Sequence, residues 1–324
     1  LLPVLSSRQI NVETLAEYVA FDCVLEEKSL FNGISQVPAG SCWTFDEIGR
    51  SRKNRYYSSE TSDSKACLQE NDLLDELERL FANILPTYYE PSQSVALSLT
   101  AGLDSRLLLA GGRNTAGVSA YTFTGNRDTF DIRQSRHVAR AAGLNYHVIR
   151  LESDFFDQFP RLAEETVYIS DGSLGVSGTH NLYFNRLARK IAPVRLTGLF
   201  GSEVLRQGRI LPDAVPVNRL FDTGFLKEVE GAKHRVVTHR QGNPLTAALH
   251  RDIPWRAHGT MSIEQSQVIL RSPFMDNALV DLLYRVPNAI RDSNSVQLEL
   301  LRSLNSSIGR IHFARGDATE RNPL

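Results

Sequence analysis

Residues 95–112, VALSLTAGLDSRLLLAGG, leave this chain few ways to fold. Val95, Leu97 and Leu99 alternate with Ala96 and Ser98, the apolar pattern of a short buried strand. Apolar residues resume at helical spacing between Arg106 and Ala110 until Gly111 and Gly112 stop them. Between strand and helix stand Thr100, Ala101, Gly102, Leu103, Asp104 and Ser105. A loop of this kind gathers backbone N–H groups without partners at the positive end of a helix dipole, where an anion, most often a phosphate, can bind. Thr100, Asp104 and Ser105 would also serve as a plain helix cap. Three oxygen side chains exceed what one cap needs, however, and an aspartate beside a phosphate makes sense chiefly when a divalent cation bridges the two. No GxxxxGK[ST] occurs, and no GxGxxG follows a strand.

The flanks extend this unit. After a polar stretch, SSETSDS at 58–64, that reads as a linker, Asn71 or Asp72 opens a helix ending before Pro86, with Leu73, Leu74, Leu77, Leu80, Phe81 and Ile84 on one face. Strands are expected at 118–124, 146–149 and 194–197, with helices at 131–142 and 180–191. Strands alternating with helices imply an α/β fold, a parallel sheet sandwiched by helices, with ligands at the carboxyl ends of the strands. Residues 100–105 and 124–126 would both lie there. A small mixed segment precedes this unit, helix-like at 11–20 and strand-like at 42–46 and 55–57, while residues 207–260 lack strong periodicity and read as a flexible or substrate-side segment.

Composition narrows the function classes. A formal charge of −1 over 324 residues, without a Lys/Arg cluster, gives no electrostatic footprint for nucleic acid or an anionic membrane. No apolar run is long enough to span a bilayer and no signal-type segment is present, so a cytoplasmic location is expected. Cys23, Cys42 and Cys67 share no metal-binding spacing, the histidines are scattered, and residues 175–178 lack the spacing of a nucleophile elbow.

The order hydroxyl, small, Gly, Leu, Asp, Ser after a buried strand resembles the SGGxDS pyrophosphate loop of the asparagine synthetase family, which includes the β-lactam synthetases and lasso-peptide cyclases. Thr100 and Ala101 stand where that motif usually has Ser and Gly. Three further runs match in order. FNGISQVPAGSCWTF followed by RYY resembles the close of the family's N-terminal glutaminase domain; residues 198–203, GLFGSE, resemble a second pyrophosphate and metal motif usually written GDGADE; residues 271–276, RSPFMD, resemble R-x-P-F-x-D. In the second motif Leu199 replaces one Asp and Ser202 replaces the Asp that normally helps bind magnesium, while Glu203 remains.

The resemblance implies an adenine nucleotide alpha hydrolase-like, PP-loop sheet with a helical C-terminal part. Residues 1–60 would be the remnant of a glutaminase-type domain whose nucleophile, an N-terminal Cys, is not Leu1, and residues 65–324 the ATP-binding domain. It further implies ATP and Mg2+ as cofactors, with nucleotide contacts from Leu97, Ser98, Thr100, Ala101, Gly102, Asp104, Ser105, Thr122, Phe123, Gly198 and Gly201. Asp104 and Glu203 would hold the metal. Glu203 and Arg315 are the candidate catalytic residues, Arg315 standing in the area where the family carries a Lys. The implied reaction is AMP-forming amide ligation between a small-molecule or peptide carboxylate and an amine or ammonia, with no nucleic acid and no membrane partner. A peptide-cyclising or small-acid amide synthetase is one variant. A non-catalytic nucleotide-binding protein is the contrasting one, favoured by Leu199, Ser202 and the absent Lys.

Overall fold

The computed structural model describes residues 9–57, 68, 70–89, 93–112, 115, 117–215, 220–287, 290–291 and 294–312. The chain forms two compact units, one of Leu1–Ala66 with Gln207–Gly259, the other of Cys67–Arg206 with Thr260–Leu324.

In the first unit, helix α1 (Val12–Phe21) starts where the Asn11 side chain accepts from the amides of Glu13 and Thr14. It packs its Ala16, Ala20 and Phe21 against Phe225, Val229, Ala232 and Val236, the buried stripe of helix α8 (Thr223–His239). A two-stranded antiparallel ribbon, β1 (Ser41–Phe45) with β2 (Ser51–Arg55), accompanies them. Residues 207–260 therefore include an ordered helix rather than the flexible segment expected. The sequence division at 60–65 would have left them in the other unit. Likewise β2 covers 51–55 rather than 55–57, because SRKNR is exposed throughout and shows no alternation.

The second unit is built on a five-stranded sheet ordered β5-β4-β3-β6-β7. Its strands are β3 (Val95–Ser98), β4 (Ser119–Thr124), β5 (Asn145–Arg150), β6 (Val194–Thr197) and β7 (Ile269–Arg271), every neighbouring pair parallel. The fold is the expected α/β sheet flanked by helices. Helices α2 (Glu70–Tyr88), α3 (Leu103–Gly111), α4 (Phe130–Ala141), α5 (Ser153–Ile169) and α6 (Thr179–Ile191) precede the short α7 (Gly201–Arg206). Helix α2 runs through Pro86 to Tyr88, beyond the expected stop, so its last turn lacks the hydrogen bond that residue 86 would donate to the carbonyl of residue 82. From β3 the chain winds outward through β4 and β5, then returns to the other side of β3 as β6. The order reverses between β3 and β6, and at such a switch point the loops leaving the two strands are brought together. A helical C-terminal part follows, its Ser295–Leu304 helix packing on α2 and α3.

Candidate functional site

The two glycine-containing turns meet at this switch point. Gly102 is the N-cap of α3 in extended backbone, and without a side chain it offers no cap bond. Its amide donates to Thr100 Oγ1 at 3.2 Å, while Ser105 Oγ accepts from the Thr100 amide at 3.0 Å. The Ala101 amide donates to the Asp131 carboxylate. Ala101 does not adopt positive φ, so replacing the usual glycine there costs no backbone strain.

Opposite it, β6 feeds the turn of residues 198–201. A Cβ on Gly198 would come within 2.7 Å of the Ser105 amide nitrogen and 2.9 Å of Asp104 Cβ; one on Gly201 would come within 2.6 Å of Asp104 Cγ. Both positions require glycine for close approach of the loops, not for φ. Phe200 between them does adopt positive φ, +67°, at the motif position usually held by glycine, which for a bulky side chain costs about 1–2 kcal/mol. The turn is tied down by Ser272, whose hydroxyl donates to the Leu199 carbonyl at 2.7 Å. The rest of the RSPFMD run is equally structural: Arg271 donates to the Tyr88 carbonyl, Asp276 accepts from Tyr88 Oη at 2.9 Å and caps the Asn277–Leu283 helix, and Phe274 is fully buried.

Asp104 lies at the centre of a polar network. Its Oδ2 accepts from Ser202 Oγ at 3.1 Å, its Oδ1 accepts from Gln297 Nε2 at 2.7 Å, and the Arg206 guanidinium stands 3.9 Å from Oδ2. Arg206 also donates to Ser202 Oγ and, at 2.6 Å, to Asn294 Oδ1. Burial raises the Asp104 pKa, opposed by Arg206 and by the hydrogen bonds from Ser202 and Gln297. Glu203 is raised by burial and by the Asp104 charge.

The remaining expected residues are spread over both faces of the sheet. Leu97 is fully buried, and Ser98 Oγ accepts from Arg195 at 3.3 Å. Thr122 Oγ1 donates to the Leu99 carbonyl at 2.6 Å and accepts from Tyr146 Oη at 2.8 Å. Phe123, on the opposite face, stacks on Phe184 with ring centroids 4.8 Å apart, and the Arg195 guanidinium lies 5.2 Å from its ring. Arg315 lies outside the described residues. Ile311 and His312 are held by Arg106, a fully buried residue beside Ser105 that donates to both of their carbonyls.

Asp131, Arg206, Ser272, Asn294 and Gln297 are not among the site residues expected from the sequence, although Ser272 lies within the RSPFMD run. Arg206 carried a signal, standing four residues after Ser202 on a helix and so on the same face. Gln297 carried none, being 193 residues from its partner Asp104.

The pattern of the family described as asparagine synthase matches residues 76–308, a span that contains both turns and the network between them. The chain belongs to the asparagine synthase family. Its expected membership is thereby shown, and with it the coarse chemistry of ATP-dependent, amide-forming ligases. Among solved structures, an NH3-dependent NAD synthetase from Campylobacter jejuni subsp. jejuni is 16% identical with a TM-score of 0.31, the match covering 68% of this chain and 96% of that one. A glutamine-dependent NAD+ synthetase from Acinetobacter baumannii, solved with adenosine diphosphate, is 15% identical with a TM-score of 0.29, covering 80% of this chain and 49% of that one. No curated protein matches. Among the described residues, no helix is long and apolar enough to cross a membrane.

Proposed function

We propose that this asparagine synthase family member is an AMP-forming amide ligase that works where the two turns meet. A substrate carboxylate oxygen attacks the α-phosphorus of ATP, the bond to the bridging oxygen breaks, and pyrophosphate leaves. An amine or ammonia then attacks the acyl carbon and AMP departs. The observation that carries this reading is the packing of Gly198 and Gly201 directly against Asp104, which brings both glycine turns and the start of α3 to one point. The residues fit a pyrophosphate there: the first amides of α3 have no intrahelical acceptor, Ala101 and Gly102 are small, and the loop's hydroxyls lie beside them. Those amides would stabilise charge developing on the leaving group. Glu203, its carboxyl held above the ordinary range, is the titratable group at hand to take the amine's proton.

Magnesium fits less well. Both oxygens of Asp104 are engaged, a guanidinium stands beside them, and no group of three His, Cys, Asp or Glu suited to a metal occurs among the described residues. The proposal that residues 1–60 close a glutaminase-type domain rests on the run FNGISQVPAGSCWTF followed by RYY.

Isotope exchange between pyrophosphate and ATP, run with a panel of carboxylic acids including aspartate and peptide acids, tests the activation step. Exchange with any acid, lost in Gly102→Val, supports the ligase. The altered second motif favours a second reading, a non-catalytic nucleotide-binding protein, which silence across the panel despite measurable ATP binding would select.

A further inference from the structure

We propose that Arg206 takes over the charge of the divalent cation at the second turn, so that pyrophosphate and the triphosphate of ATP bind this chain without a metal. The inference rests on the nucleotide reading above and concerns how the same site is charged. It starts from Ser202, which stands where the motif has an aspartate. Its hydroxyl is a relay, accepting from Arg206 and donating to Asp104 Oδ2 at 3.1 Å, so cation, hydroxyl and carboxylate form one line. Ser202 brings no charge where the motif has an aspartate, and Arg206, one turn later on α7, sets a fixed positive charge against Asp104. A fixed cation therefore already stands at the second turn for an incoming anion.

The local bonding opposes a cation. A metal on Asp104 would have to share the carboxylate with Ser202 on one oxygen and with the 1%-exposed Gln297 on the other, leaving a single lone pair on each and no bidentate approach free of a donor. A divalent ion on Asp104 would also sit next to the guanidinium, which is 3.9 Å from Oδ2 and is itself fixed by Asn294 at 2.6 Å. Like charges that close in a partly buried site repel strongly. The Arg206 side chain keeps 29% of its surface exposed, enough to meet a phosphate oxygen at the rim. A guanidinium fork matches phosphate oxygens as a hydrated magnesium ion would, through several charge-assisted contacts at once.

The test is calorimetric titration of the full chain with inorganic pyrophosphate and with ATP, first in EDTA and then in excess magnesium. Wild-type protein should bind both in EDTA, with affinity within about tenfold of that in magnesium, while Arg206→Met in EDTA should lose about tenfold or more. Arg206→Lys keeps the charge without the fork and should fall between them; thermal melts of both variants separate lost binding from lost fold. The double variant Ser202→Asp/Arg206→Met, which restores one aspartate of the motif and removes the guanidinium, should bind only with magnesium. Wild-type binding that requires magnesium would overturn the inference and leave the ligase reading standing, as would a folded Arg206→Met that binds like wild type in EDTA. A protein that binds neither ligand under either condition removes both.

Discussion

Asp104 and Glu203 meet across the two turns with both pKa values raised, burial being the first cause in each case. The sign follows from linkage. A carboxyl whose pKa is higher folded than unfolded holds more protons in the native state, so native stability falls as pH rises from the ordinary carboxyl range through the raised value. In Glu203→Gln that decline disappears. Urea unfolding at a series of pH values should show the variant gaining on wild type as pH rises above the ordinary carboxyl value of about 4.3; a pH-independent difference would mean that Glu203 is not perturbed. Cysteine chemistry is equally local. Cys23 is buried, and burial pushes its thiol up to about 12, whereas Cys42 is exposed. Both are free thiols.

At the scale of elements, the second unit is pinned beneath its loops by Arg195. This residue lies on β6, is 7% exposed, and pairs with Glu264 at 3.0 Å while donating to Asn185 on α6 and Ser98 on β3. One buried cation thereby joins two adjacent strands, a helix and the C-terminal part of the unit. Glu264→Gln should preserve the shape but leave the guanidinium uncompensated, lowering the unfolding free energy by roughly 3–5 kcal/mol. Chemical denaturation measures this, and a loss below about 1 kcal/mol, the range of an exposed pair, would show that water screens it. Strand β6 itself was legible from four apolar-framed residues, VRLT, and its bounds agree with expectation. That its arginine faces inward was not, because a single polar residue in an apolar run has no sequence neighbour to reveal its partner.

The whole molecule divides in a way that chain order hides. The first unit is assembled from residues before 67 and after 206, with α1 and α8 sharing one apolar cluster. A chain trimmed to begin at residue 67 would uncover Phe225, Val229, Ala232 and Val236, at about 1.5–3 kcal/mol for each large apolar side chain returned to water. Such a chain should bind a hydrophobic dye and aggregate at concentrations where the longer chain stays monodisperse. Clean, dye-silent behaviour would show that α8 does not depend on α1. The stripe at 225, 229, 232 and 236 has helical spacing and could have been read from the sequence. Pro, Gly and Arg on either side of it conceal the pattern.

What the sequence determined by itself was local and periodic. The strand, turn and helix at 95–112, the alternation of strands with helices, the parallel sheet and the four ordered motif runs all depend on residues close in the chain, where spacing alone decides which face is apolar. Tertiary structure decided what those runs face. Residues 198–203 could be matched to a motif, yet only the adjacency of β3 and β6 puts Gly198 and Gly201 against Asp104 and turns a substitution at 202 into a relay between a carboxylate and Arg206. The RSPFMD run could be matched as well, but its work, holding the second turn through Ser272 and the end of α2 through Arg271 and Asp276, appears only once distant segments are packed. Periodicity reports the environment of a face, whereas the identity of a partner nearly two hundred residues away is set by topology and leaves no mark on the neighbouring sequence.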